Sequence, residues 1–191
     1  MKKFVLIALA ASCAAIAAPA AAQSVTGTVV ITGTVAPKCM VVPGNGSTFG
    51  TTIALGELAQ ASGIMRTDLA AQVNADAGLT ARVICTTAAP TISVDANPLA
   101  NGVTVPPTGY DNSIDFTASV SVTTTTGVVG PFNNATSSAP LAATPIGGRL
   151  ANNGANNIAI TTSGFATNTL TDVLESGSYS GNIIVVIAPG A

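Results

Sequence analysis

The residues with the most evident chemistry are two cysteines, Cys39 and Cys85, which follow an apolar N-terminal stretch. The chain contains no histidine, so nucleophilic catalysis by Ser-His or Cys-His pairs is excluded. Two thiolates without histidine also fall short of the four ligands of a zinc site, and we predict neither a metal nor a cofactor. If the chain is exported to an oxidising compartment, these cysteines are expected to form a disulfide, with two buried free thiols as the alternative.

Two carboxylates could act together in glycoside hydrolysis, and Asp111 with Asp115 is the closest candidate pair. Asp115 shares the outward parity of its segment with threonines, which favours a solvated surface position. A calcium site built on Asp111 and Asn112 lacks the loop pattern of known calcium motifs. We therefore predict that the protein is not an enzyme.

The start of the chain has the pattern of an export signal. Two lysines follow the first methionine, residues 4–18 are mainly apolar, and the small residues 20–22 precede Gln23. This order predicts a signal peptide at residues 1–22, removed before Gln23. A membrane anchor and a lipoprotein signal at Cys13 are the alternatives.

The composition predicts one domain with a polar but weakly charged surface. Charged residues make up 7% of the chain and apolar residues 48%, with a formal net charge of −2. This apolar content argues against disorder, and no basic patch for nucleic acid is present. The length suits a single domain with a substantial core.

The positioning elements are predicted to be strands, because the apolar residues repeat with a period of two. The clearest run has apolar side chains at Ile114, Phe116, Ala118, Val120 and Val122, alternating with polar ones. Similar alternation occurs at residues 79–85 and 92–94, and turn-forming clusters of Gly, Pro and Asn separate these segments. The pattern predicts an all-β sandwich.

Two other regions depart from this alternation. Residues 63–77 have Ile64, Leu69 and Val73 at loosely helical spacing, which indicates a loop with one helical turn. Residues 123–154 are rich in Thr, Asn, Pro and Gly, which indicates long surface loops.

The longest predicted strand is SVTGTVVITGTV, residues 24–35. The odd-numbered positions carry Val, Ile and Gly, whereas the even-numbered positions carry Ser or Thr except at Val30. We call these two alternating sets of positions the two parities of the strand. At about 3.3 Å per residue it would extend roughly 40 Å, about twice the length of an ordinary strand. Such a strand could serve two domains, although pairing within its own domain is the alternative.

The last predicted strand is apolar on both faces, and it enters through Tyr179. We expect it to be covered on both faces or to lie at the centre of the packing. Its apolar residues are Ile183, Ile184, Val185, Val186 and Ile187.

Together these segments resemble the pilin subunits of chaperone-usher fimbriae and their spore coat U-like relatives. GTVVITGTVAPKC (27–39) resembles the glycine-punctuated N-terminal strand that precedes the first cysteine of such pilins. TIALGEL (52–58) is similar to their next strand, and GSYSGNIIVVI (177–187) to their final strand. Cys85 lies at about the spacing of their second cysteine.

The resemblance implies an incomplete immunoglobulin-like sandwich that lacks its last strand and is completed by donor-strand exchange. Residues 23–32 would form the donor segment, and residues 33–191 the pilin domain, with its own first strand starting at Gly33. In the donor segment Val25, Val29 and Ile31 would enter the groove of the next subunit. Gly27 would lie where a side chain meets the groove floor, and the last strand would border the groove.

The same resemblance implies the partners and the location. A periplasmic chaperone would fill the groove first, and an outer-membrane usher would then exchange it for the donor segment of a like subunit. The protein would be exported through the periplasm to the cell surface as part of a fimbria that supports adhesion or biofilm formation. A stand-alone secreted or surface-associated binding sandwich is the alternative, and a tip adhesin is disfavoured because the chain lacks the length for a second domain.

Overall fold

The computed structural model describes residues 26–44, 50–76, 79–102 and 105–190. Its contacts divide the chain into two units, with the boundary between Thr34 and Val35. The predicted signal peptide and Val25 lie outside the described residues.

Eleven strands and one short helix make up the described part of the second unit, which agrees with the all-β prediction. In chain order they are β1 (Cys39–Val41), α1 (Leu69–Asn74), β2 (Thr80–Ala81), β3 (Val83–Cys85), β4 (Thr91–Ala100), β5 (Tyr110–Asp111), β6 (Ser113–Thr124), β7 (Gly127–Ala135), β8 (Leu141–Pro145), β9 (Ile158–Ala166), β10 (Val173–Leu174) and β11 (Ser180–Ala188). No helix in the described ranges combines the length and hydropathy that crossing a bilayer would need.

The main sheet is antiparallel, with the strand order β11-β4-β6-β9-β2. β7 pairs with β6 on the edge opposite β9, and β8 pairs with β4 on the edge opposite β11. β4 pairs with β6 only where one strand ends and the other begins, at Leu99 and Ala100. β1 forms a separate antiparallel ladder with β3, and β5 pairs in parallel with β10.

One apolar core joins all of these strands except β5 and β10, and most of its buried residues alternate along the strands. β6 is the clearest case, because its buried and half-buried side chains alternate over all twelve residues. Burial of one face of a pleated strand selects apolar residues at every second position, so the predicted period of two is confirmed. The buried members are Ala81, Val83, Cys85, Ile92, Val94, Ala96, Phe116, Ala118, Val120, Val122, Ile146, Leu150 and Ile158.

Two buried asparagines connect strands where the ladders are incomplete. The Asn157 side chain accepts a hydrogen bond from the Val83 backbone N–H (2.9 Å) and donates one to the Val83 carbonyl (2.7 Å). Asn134 accepts from the Ala96 backbone N–H at 2.7 Å. These amides satisfy buried backbone groups that would otherwise be costly to remove from water.

The disulfide predicted from the sequence is present between Cys39 and Cys85. The two residues lie directly opposite each other in the β1–β3 ladder, with their Cα atoms 4.1 Å apart. The covalent bond therefore fixes the start of β1 to the end of β3 across a sequence separation of 46 residues.

The expected helical turn is confirmed as α1, where Leu69 and Val73 are buried one turn apart. The expected long loops at residues 123–154 are only partly present, because β7 and β8 lie there, whereas residues 146–157 between β8 and β9 form no strand. β7 pairs only with β6 among the described residues, and most of its side chains are exposed. A strand with little burial carries no strong alternation, which explains why the composition resembled a loop.

Two further strand predictions need correction. Residues 50–58 form no strand, although TIALGEL was expected to be one, and the first strand begins at Cys39 instead of Gly33. Alternating apolar residues favour an extended backbone, but a strand forms only where a second strand bonds to it. Neither segment has such a ladder in the described part of the chain.

Candidate functional site

The last strand, β11, lies at the edge of the main sheet. It pairs with β4 from Ser180 to Ala188, and no other described strand pairs with it. We call the edge of β11 that faces away from β4 the outer edge. An outer edge of this kind presents a row of backbone N–H and C=O groups to which another strand can bond.

The two faces of β11 have different surroundings. Ile183, Val185 and Ile187 are partly buried and pack against the core. Ile184 and Val186 point to the opposite face, where they are 47% and 51% exposed. The expectation of cover on both faces is therefore not met within the described chain, because β11 lies at an edge and one of its apolar faces is open.

The entrance to β11 is irregular, and a glycine makes the irregularity possible. The β11–β4 register shifts between Ser180 and Asn182. A Cβ atom at Gly181 would lie 2.6 Å from the Pro98 carbonyl oxygen, closer than real side chains approach. Only glycine allows β11 to approach β4 this closely at the bulge.

An apolar cleft of about 390 Å³ opens beside this entrance. Phe116 and Phe165 form part of its wall, and their rings stack with centroids 5.2 Å apart. Leu99 and Ile183 contribute from β4 and β11. No sequence pattern predicted that Phe165 and Leu99 line a cleft, and only the alternation at Phe116 indicated a buried apolar side chain here.

The unpaired segment at residues 51–55 closes the other side of the cleft. Ile53 and Leu55 line it, both partly buried, without a ladder to any described strand. The same two side chains also line a larger and more polar cleft of about 590 Å³, which continues toward Tyr179. The region beside the start of β11 is thus bordered by a segment that pairs with none of the described strands.

Tyr179 precedes β11, and its hydroxyl hydrogen-bonds to backbone carbonyl groups. Its hydroxyl lies 2.9 Å from the Glu175 carbonyl oxygen and 3.2 Å from that of Asp111, so it can donate to either. Burial raises the pKa of the Tyr179 hydroxyl above its usual value of 10.0, and the charges of Asp111 and Glu175 raise it further. The hydroxyl therefore stays protonated and anchors the chain at the strand entrance.

The predicted donor residues lie in the first unit, where residues 26–34 form no strand. Val29 and Ile31 are 85% and 91% exposed, and Val30 on the other parity is 79% exposed. A Cβ atom placed on Gly27 would meet no other atom within 4 Å. The described part of the segment thus offers its apolar side chains to solvent, and Val25 lies outside the described residues.

The carboxylates considered for catalysis make structural hydrogen bonds instead. Asp111 is buried, and its side chain accepts hydrogen bonds from the backbone N–H groups of Ser113 and Asn168. Asp115 accepts from the Thr136 hydroxyl at 2.6 Å. Both groups are therefore occupied in holding turns and strands together. Within the described ranges no three His, Cys, Asp or Glu side chains are grouped to hold a metal ion.

Comparison with known proteins adds no family assignment. No protein-family model, no curated protein and no solved structure matches the chain. The geometry of β11 and of residues 26–34 is therefore the basis for inferring a function.

Proposed function

We propose that this chain is a structural subunit of a cell-surface pilus and that it polymerises by donor-strand exchange. The observation that carries the proposal is the outer edge of β11, unpaired in the described chain, with apolar side chains on both faces of the strand. In this proposal the antiparallel strands around the common core form an immunoglobulin-like sandwich that lacks its final strand. The N-terminal donor segment of a second subunit supplies that strand by β-augmentation.

The lengths of the two partners agree. β11 has nine residues, which span about 30 Å at roughly 3.3 Å per residue. The donor segment, residues 23–32, covers a similar distance when extended. One segment can therefore bond along most of the outer edge without leaving a long unpaired stretch.

The apolar side chains of the donor segment supply the binding energy. Val29 and Ile31 are largely exposed in the free chain, so their burial against a neighbour would be gained in full. Together with Val25, three such side chains at about 1.5–3 kcal/mol each contribute roughly 5–9 kcal/mol before ordering costs. Backbone hydrogen bonds along the edge of β11 add to this amount.

A subunit with one donor segment and one outer edge joins its neighbours head to tail. Such heterologous contacts produce an open filament unless the rotation between subunits closes a ring. Before assembly the edge of β11 is a hazard, because exposed apolar edge strands promote aggregation. This proposal requires two partners: a periplasmic chaperone that covers this edge, and an outer-membrane usher at which the donor segment of the next subunit replaces the chaperone. The fibre would lie at the cell surface.

Deletion of residues 23–31 tests the proposal. The truncated protein, expressed with its chaperone and usher, should remain as a chaperone-bound subunit and form none of the SDS-resistant, heat-labile multimers of the intact chain. A matched control exchanges the apolar and polar residues within the segment, which preserves its length and composition but inverts its faces. Unchanged multimers from the deletion variant would contradict the proposal and favour a stand-alone secreted binding domain.

A further inference from the structure

In the proposed fibre, the donor segment of one subunit lies along the outer edge of β11 of the next, and we call this contact the joint. Three features of the chain concern the face of the joint that points away from the core. Val30 is the single apolar residue on the polar parity of the sequence SVTGTVVITGTV. Ile184 and Val186 are half exposed on the outward face of β11. Nothing in the core accounts for any of these three side chains.

The neighbouring strand β4 does not cover the outward side chains of β11. Asp95 lies opposite Ile184 in the ladder, and Ser93 lies opposite Val186. Both β4 residues are polar and only partly buried. An apolar neighbour for Ile184 and Val186 must therefore come from the outer edge, where no described strand is present.

The pleat of a sheet determines which donor residues can reach that position. Directly opposite residues of adjacent strands point to the same face, whether the strands run parallel or antiparallel. If Val29 and Ile31 point inward beside Val185, then Val30 must point outward. It would then lie on the same face as Ile184 and Val186.

We infer that Val30 of one subunit packs against Ile184 and Val186 of the next on the outward face of the joint. This inference depends on the proposed donor-strand exchange and adds a second apolar contact outside the groove. Ile184 and Val186 are two residues apart, so Val30 lies directly opposite one of them and diagonal to the other, within reach of both. The occupant of this open apolar face is thus a second copy of the chain.

The contact has a consequence for register. A slip of one residue would point Val30 into the groove and turn Val29 and Ile31 to the outside. A slip of two residues would keep the faces but place a threonine beside Ile184 or Val186. Val30 can therefore contact both Ile184 and Val186 in two registers that differ by two residues, and the residue that cross-links to Val30 identifies which of the two forms.

Cysteine cross-linking of the full-length protein tests the inference. Val30→Cys is combined with Ile184→Cys in one variant and with Val186→Cys in another, and the multimers are oxidised, boiled and separated without reductant. Residues opposite each other in a sheet meet the geometry of a disulfide, so one of the two variants should give covalent ladders. Val29→Cys combined with either partner is the matched control, because its side chain points to the opposite face and should not cross-link.

A second measurement uses the native residues. Val30→Thr keeps the shape and strand preference of the side chain but adds a hydroxyl, and multimers should dissociate up to about fivefold faster in SDS. Val30→Ile should restore the dissociation rate of the natural protein.

The outcomes separate this inference from the proposed function. The outward contact would be overturned if multimers form normally but cross-link through Val29→Cys, or if Val30→Thr leaves their dissociation rate in SDS unchanged. Donor-strand exchange itself would remain in place. If the unmodified chain forms no multimers, the inference fails together with the proposed function.

Discussion

The replacement Ile31→Ala separates the stability of the subunit from the stability of the joint. Ile31 is almost fully exposed and lies in a segment without strand pairing. Its truncation should therefore leave the free energy of unfolding of the subunit unchanged. In the proposed joint the same side chain lies inside the neighbour's groove, so the whole loss should appear in assembly.

The size of the loss follows from the carbon atoms removed. Isoleucine exceeds alanine by three carbons, and each buried methylene contributes about 0.8 kcal/mol, which gives about 2.4 kcal/mol. That energy corresponds to a roughly 60-fold weaker joint.

The assay measures the temperature at which multimers dissociate in SDS, beside the unfolding of the chaperone-released subunit followed by circular dichroism. Thr28→Ala is the matched control, because Thr28 lies on the opposite parity of the segment. Equal effects of the two substitutions on the multimers would refute the predicted faces. A loss of subunit stability in Ile31→Ala would refute the prediction that the segment is a free donor.

Three other predictions concern separate parts of the chain. Replacement of both Cys39 and Cys85 by alanine should lower the free energy of unfolding by about 4 kcal/mol in the loop-entropy model, measured by urea titration, and an unchanged midpoint would contradict it. Gly27→Leu should block fibre formation but not subunit folding, since its surroundings are empty in the free chain; Gly33→Leu, equally open, is the control and should assemble normally. Burial raises the pKa of Tyr179, so its contribution to stability is complete below pH 10.0 and is lost as the pH rises through the raised value. Tyr179→Phe should weaken that alkaline loss in unfolding measured against pH, and an identical pH profile would argue against the raised pKa.

The sequence predicted the core strands well, because burial of one face of a strand selects apolar residues at every second position. β6 alternates over its whole length, and Leu69 and Val73 indicate a helical turn for the same reason. The disulfide was predictable on the expectation of export, because an oxidising compartment would leave few other roles for Cys39 and Cys85.

The remaining features depend on partners that are distant in the sequence. Residues 52–58 alternate like a strand but have no ladder in the described chain, whereas β7 forms a ladder with little alternation. Phe116 in β6 stacks on Phe165 in β9, and no local sequence pattern predicts this contact. The apolar residues on both faces of β11 predicted an interior position, because such strands usually lie inside a sheet, and only the resemblance to pilins indicated that this strand borders an open groove.

The disulfide has a mechanical consequence for a fibre joined in the proposed way. Tension on the N-terminal segment first meets the domain at Ala36 and Lys38, which are hydrogen-bonded to Thr86, and the Cys39–Cys85 bond then transmits it covalently to the end of β3. The chain then enters β4, which is bonded to β11 along its length, and β11 is where the next donor would pull. Force would thus pass through the subunit from β11 to β4 to Cys85, and residues 40–84 would carry no load.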